Sequence, residues 1–254
     1  MIRSTLCLGL VLTFAGPSMS QTNLSGRDSL HVESPFSWEY PKLVGRDIGH
    51  VVSAPAHWSG GQWLSFTIQT GAVIGTAAAL DKSVRTFAQD NRSNTSNKIA
   101  DQFNRFGSSY PSFALIGFYV GGAVFHKQTA KMVALDGGAA TLIASVGITP
   151  LLKELFGRHR PYYNDGPFKF SPFSIHESFP SGHSTRAFVT ASVIAAHYHQ
   201  FWIKTVVYTL ATMVAYARVN YNVHFASDVL AGAMIGISAG TAVVHFNRQA
   251  RASD

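Results

Sequence analysis

The sequence predicts an all-α protein, a six-helix bundle preceded by an N-terminal arm. Three observations point there. Long apolar stretches recur along the chain without period-two alternation, the pattern of helices rather than strands. Polar segments rich in Asn, Pro or Gly separate them. Charged residues make up 13% of the 254 residues and hydrophobic ones 46%, against ~25% charged in soluble domains. This composition excludes a disordered chain. The single cysteine excludes a disulfide framework and a cysteine-built zinc site. The net charge of +7 suits an anionic membrane surface or a phosphorylated substrate. The basic residues are few and scattered, so nucleic acid is not an expected partner.

The elements follow in order. Residues 1–20, MIRSTLCLGLVLTFAGPSMS, read as an export signal with Arg3 at its start, a short apolar run from Leu6 to Gly16, and small Ser18 and Ser20 before a cleavage point at Gln21. Cleavage removes Cys7, the one cysteine, which suits the cell envelope, in its membrane or in the periplasm. Residues 21–61 form the arm, broken by Pro35, Pro41 and Pro55, with one short helix expected near Asp47–Ala54. Residues 62–247 form the helical domain and 248–254 a tail. Its six helical segments are Trp63–Leu80, Ser112–Phe125, Met132–Leu152, Ala187–Gln200, Trp202–Ala217 and Val229–Phe246. The polar connector Asp81–Tyr110 has room for a short amphipathic helix around Lys98–Phe106.

Small residues recur four apart as Gly71 and Gly75, Gly117 and Gly121, and Gly232, Gly236 and Gly240. Such spacing lets helix backbones approach closely, in a membrane or in a soluble core. Trp63–Leu80 and Val229–Phe246 are free of charge and long enough to cross a bilayer at ~1.5 Å per residue. Ser112–Phe125 and Thr205–Ala217 are too short alone, and Asp136 interrupts the third segment. The balance favours a membrane-embedded bundle.

The chemistry lies in three clusters. Lys153-Glu154-Leu155-Phe156-Gly157-Arg158-His159-Arg160-Pro161 ends the third segment and sets Lys153 and Arg160 seven positions apart. Taken alone it also reads as a charged helix end that offsets the dipole. Pro180-Ser181-Gly182-His183 precedes the fourth segment, with Ser181 a natural N-cap and Gly182 opening the backbone amides to an anion. Taken alone it is equally an ordinary helix start. Arg218 to His224 to Asp228 joins the fifth and sixth segments, and His224 and Asp228, four apart, share a helical face. A carboxylate on one imidazole nitrogen fixes the tautomer and frees the other nitrogen for attack. In an up–down bundle all three clusters fall at one end, so distant stretches converge on three cations, two histidines and a carboxylate.

Order and spacing together resemble the signature of the type 2 phosphatidic acid phosphatase (PAP2) and vanadium haloperoxidase superfamily: Lys-x6-Arg-Pro, Pro-Ser-Gly-His and Ser-Arg-x5-His-x3-Asp. The resemblance covers about Trp63 to Phe246. Ala217 stands where that family usually has serine, which removes one hydroxyl contact to the anion. The resemblance implies a phosphatase of the helical-bundle type, acting on a phosphate monoester or diphosphate with a phospholipid or isoprenoid carrier as substrate. His224 would attack phosphorus and form a phosphohistidine. Asp228 would orient it, and His183 would protonate the leaving oxygen, which favours a mildly acidic to neutral optimum. Lys153, Arg160 and Arg218, with the backbone N–H groups of Ser181 and Gly182, would hold the nonbridging oxygens. Three fixed cations can do this without a metal ion or other cofactor.

Three other readings compete. They are a soluble periplasmic acid phosphatase of broad specificity, a vanadate-dependent haloperoxidase, and a noncatalytic anion-binding or lipid-carrier protein. Arg158, His159 and Tyr162 read as surface loop. Phe168, Phe170, Phe173 and Phe179 read as loop packed on the bundle rather than as a lid. Asp136 is expected to pair with a cation across the bundle, and His197, His199 and His245 to be ordinary core or interface residues. A cleaved signal followed by six full crossings would put Lys153, His183 and His224 on the cytoplasmic side, opposite to embedded members of the resembled family.

Overall fold

The computed structural model describes residues 34–253, so the export signal expected at 1–20 lies outside the described residues. Ten α-helices are found among them, and no strand, only an isolated bridge between Arg158 and Phe170. Helix α1 (Glu39–Ser53) belongs to the arm, and α2 (Gly60–Ala79) opens the bundle. Ser59 caps α2 reciprocally: its side chain accepts the Gln62 N–H while Gln62 Oε1 accepts the Ser59 N–H. The chain bends by 56° into α3 (Asp81–Asp90), and α4 (Asn94–Asn104) follows behind a second capping box at Ser93 and Ser96.

Helix α5 (Tyr110–Val124) turns back, and α6 (Gln128–Thr141) runs through a π-helical segment, Leu142–Ile148, into α7 (Thr149–Phe156). Helices α8 (Gly182–His197), α9 (Phe201–Asn220) and α10 (Ala226–Ser253) complete the bundle. All six expected segments are helical. The arm helix starts earlier than expected, because Pro41 falls in its first turn, where a missing N–H costs nothing. The connector holds two helices rather than one. The expected tail is a continuation of α10, tied down by Arg248 to the Ala196 carbonyl and by Arg251 to Asp136.

Helix α8 is the centre. Val189 and Val193 meet Val133, Ala139, Ala140 and Ile143 on one side and Val243 and Val244 on the other. Ala187, Phe188 and Ala191 pack on Ala211 and Val214 of α9 and on Ala233 of α10. The glycine spacings separate here. A Cβ on Gly232 would lie 2.5 Å from the Ser181 carbonyl oxygen, one on Gly236 2.5 Å from the Thr185 carbonyl oxygen, and one on Gly240 2.1 Å from Ser192 Oγ. That ladder lays α10 directly on α8. Among the described residues nothing lies within 4 Å of a Cβ built on Gly71, Gly75, Gly117 or Gly121, so those pairs make no close helix contact there.

By length and composition Gln128–Phe156 and Ala226–Ala252 can each cross a membrane, and the bent pair α2–α3 makes a third if it counts as one span. Helix α5 is apolar but only 15 residues long.

Candidate functional site

The end of α7, the start of α8 and the α9–α10 junction meet at one end of the bundle. Gly157, at φ +52°, ends α7 in the left-handed conformation that glycine adopts without strain. Its N–H bonds the Lys153 carbonyl, and the chain then turns inward, so Arg158 is only 2% exposed. Ser181 caps α8 by accepting the Ser184 N–H.

His224 lies between α9 and α10 and is buried. Its Nδ1 is 2.7 Å from the Ser178 carbonyl oxygen and 3.6 Å from Asp228 Oδ2. A carbonyl oxygen only accepts, so Nδ1 carries the proton and Nε2 holds a free lone pair. Asp228, expected to orient His224, stands beside the same nitrogen. The Ser178 carbonyl makes the hydrogen bond, and the carboxylate acts across a longer gap because other donors hold it. Asp228 Oδ1 accepts from Arg158 at 2.5 Å, and Oδ2 accepts from Ser178 Oγ at 2.6 Å and from the Phe225 N–H at 2.8 Å. Burial pushes His224 below the ordinary imidazole pKa, against the pull of Asp228, and Arg218 and Lys153 push the same way. The imidazole is therefore neutral.

His183 stands one residue inside α8, its ring packed beneath the backbone at Gly107. Burial pushes its pKa down to about 3, helped by the charges of Arg218, Arg186 and Lys153. Arg160 in turn acts electrostatically on both Lys153 and Arg218.

Donors outnumber acceptors there. Arg218 Nη1 donates to Asn104 Oδ1 at 2.7 Å, while its buried Nε has no partner among the described residues. Among the described residues Arg160 has no hydrogen-bonding side-chain partner. Lys153 Nζ donates to the carbonyl and carboxylate of Glu177 at 2.8 and 3.4 Å. The Gly182 and His183 N–H groups, first in α8, have no intrahelical acceptor. Ser181 differs from expectation: its N–H donates to the Asp228 carbonyl at 3.0 Å, so it is committed to joining α8 to α10.

Sequence reasoning missed Asp81, Arg158 and Ser178. Arg158 and His159, expected on the surface, are both buried, with His159 bonded to Asp165 and Ser171. Tyr162 is exposed as expected. The phenylalanine loop also departs from expectation: Phe179 packs on Phe156, whereas Phe168 and Phe173 stand exposed, Phe173 at 76%. Asp136 does find its cation, Arg251, at 2.7 Å, and it also bonds His197.

These features define an all-helical bundle with one end built from buried imidazoles and surplus donors, the chemistry of an oxyanion site. The family model described as PAP2 superfamily matches residues 138–252, the stretch that carries all three motifs. It is 36% identical over 112 residues to lipid A 1-phosphatase of Rhizobium etli, covering 41% of this chain and 47% of that one. The chain thus spans about half the length of that relative. Phosphatidylglycerophosphatase B of Bacillus subtilis is 29% identical over 188 residues, covering 68% of this chain and 84% of that one. The fold is also similar to the crystal structure of a transmembrane PAP2 type phosphatidylglycerolphosphate phosphatase from Bacillus subtilis. The TM-score is 0.56 at 24% identity, over 74% of this chain and 94% of that one.

Proposed function

We propose that the chain is a phosphatase of membrane lipids that works through a phosphohistidine at His224. The observation that carries the reading is the gathering of surplus donors about a neutral imidazole whose Nε2 is free. Arg160, Arg218 Nε and the Gly182 and His183 amides supply the donors. A phosphoryl group meets their need with its nonbridging oxygens, and catalysis of its transfer consists largely of positioning and charge stabilisation.

In this reading His224 Nε2 attacks phosphorus and the bond to the leaving oxygen breaks. His183 gives that oxygen its proton. The His224 ring, now phosphorylated and cationic, keeps its Nδ1 proton on the Ser178 carbonyl, with Asp228 nearby to balance the charge. Water then attacks phosphorus and yields its proton to His183, which releases inorganic phosphate and restores both imidazoles. With its pKa near 3, His183 is neutral before substrate arrives. A phosphate brings negative charge to the face where cations oppose protonation, so the acid is formed by binding.

A lipid substrate is supported by the apolar helices and by a half-open groove of about 150 Å³ between α5, α8 and α9. Its walls include Phe106, Ala187, Ala191, Ile194, Val207 and Ala211. Ala187, Ala191 and Ile194 continue the helical stripe that begins at His183, and Val207 and Ala211 continue the stripe of Arg218. Such a groove suits a hydrocarbon tail beside a phosphate. The relatives named for lipid A phosphate and phosphatidylglycerophosphate fit this class of substrate. An isoprenoid diphosphate belongs to the same chemistry.

The test is release of inorganic phosphate from phosphatidate and from lipid A in detergent micelles, with rapid quenching in alkaline dodecyl sulfate to trap protein-bound phosphate. The wild type is expected to turn over and to carry an acid-labile phosphate. His224→Ala should lose both. Turnover retained in His224→Ala would sink the reading.

A further inference from the structure

We propose that Asp81, from outside the three motifs, is a positioning residue that divides the charge of Arg158 and so leaves Asp228 free to stabilise a cationic His224. This rests on the phosphohistidine reading above.

All five N–H groups of the Arg158 guanidinium are engaged. Nη1 donates to Asp228 Oδ1 at 2.5 Å and to Ser227 Oγ at 2.7 Å. Nη2 donates to Asp81 Oδ2 at 2.7 Å and to the Pro167 carbonyl at 2.6 Å, and Nε donates to the same carbonyl at 3.0 Å. The guanidinium also lies over the Phe225 ring, 4.5 Å from its centroid. Asp81, the first residue of α3, is completely buried. Its Oδ1 accepts the Ser227 N–H at 2.8 Å, and its Oδ2 also accepts from Ser227 Oγ at 2.6 Å. Every acceptor on both carboxylates is thus spoken for, and α3, the loop after α7 and the first turn of α10 are locked together.

The charge count gives this network a role beyond rigidity. Two carboxylates facing one guanidinium sum to minus one. A buried charge out of balance is costly. It becomes balanced when His224, 3.6 Å from Asp228, turns cationic on attacking phosphorus. The stabilisation is thus realised as the reaction proceeds and is absent in the resting enzyme. Without the Asp81 charge, Arg158 would neutralise Asp228 completely, and that gain would vanish. Asp81 touches neither His224 nor any of the cations that would hold substrate, so its effect must travel through Arg158 and Asp228.

The experiment measures kcat and KM with phosphatidate in micelles for Asp81→Asn, Arg158→Lys, Asp228→Asn and the doubles Asp81→Asn/Asp228→Asn and Arg158→Lys/Asp228→Asn, with thermal melting of each. Asp81→Asn keeps an acceptor for the Ser227 N–H, removes the charge, and replaces the oxygen that accepts from Arg158 Nη2 and Ser227 Oγ by an amide donor, a structural cost that the thermal melts register. It should lower kcat about 10- to 100-fold, the usual effect of losing an outer hydrogen-bonding partner, and leave KM within about twofold. In the Asp228→Asn background neither Asp81→Asn nor Arg158→Lys should lower kcat further. A kcat at the wild-type level in Asp81→Asn overturns the proposal. So does a change in KM alone, an additive loss in the doubles, or activity that falls only in step with folded protein. A wild type without phosphatase activity would instead remove the phosphohistidine reading.

Discussion

The two ends of the bundle each bury a polar cluster, and they are unbalanced in opposite senses. At the α7–α8–α10 end donors are left over: among the described residues Arg218 Nε has no acceptor. At the other end acceptors are left over. Asp136 is matched by Arg251 and His197, while Asn247 Nδ2 donates to both Asp47 and Asp136. Asp47 Oδ1 and Asn247 Oδ1 are buried without a donor among the described residues. The two clusters sit on the same long helix, Asp228 in its first turn and Asn247 19 residues on, ~28 Å at 1.5 Å per residue. Spare donors with open amides and a free imidazole nitrogen make a place for an anion. Spare acceptors beside a closed ion pair make a place where a carboxyl prefers to keep its proton.

The contrast can be broken first at the donor end. Arg218→Ala should lower kcat/KM about 10²- to 10³-fold, the range for losing one preorganised oxyanion contact, with little change in Tm. An unchanged kcat/KM would place Arg218 with the scaffold. Arg251→Ala should do the reverse. It strips a buried carboxylate of its principal partner and costs about 3 kcal/mol of stability, while the folded fraction turns over at the wild-type kcat. Denaturant melts and active-site titration separate the two effects.

Asp47→Asn is the smallest and carries a sign. Burial pushes the Asp47 carboxyl up to about 6 from 3.8. The folded protein therefore holds this proton more tightly than the unfolded chain does. That stabilisation is full below about pH 4 and is lost as pH rises through 6. The amide introduced there brings a donor for Asn247 Oδ1 and has no charge to bury. Tm should rise at pH 7.5 and the gain should shrink as pH falls to 4. A gain independent of pH would show that the carboxyl charge is not what costs stability there.

How much of this was legible in the sequence depended on how locally each feature is encoded. Lys153, Arg160, His183, Arg218, His224 and Asp228 stand in contiguous motifs, and helix parity was enough to bring those motifs to one end. Arg158 sits inside the first motif yet was read as surface, because its burial depends on Asp81, 77 positions away in a connector of ordinary polar composition. The Ser178 carbonyl left no trace, since any residue carries one. The Ser181 amide was assigned to the anion because a helix start offers its first amides there, and only the approach of α10 commits it to Asp228. The glycine spacings looked alike at three places, but spacing alone does not say whether another helix lies opposite.

The ladder at Gly232, Gly236 and Gly240 has a consequence for the distance between two buried rings. His183 rides on α8 and His224 just ahead of α10, and what separates those rods is the thickness of a bare backbone. One methyl on Gly232 would meet the Ser181 carbonyl and wedge the rods apart at the level of both imidazoles. Three missing side chains thus act as the gauge by which the two histidines are spaced, and under the proposed mechanism that gauge sets acid against nucleophile.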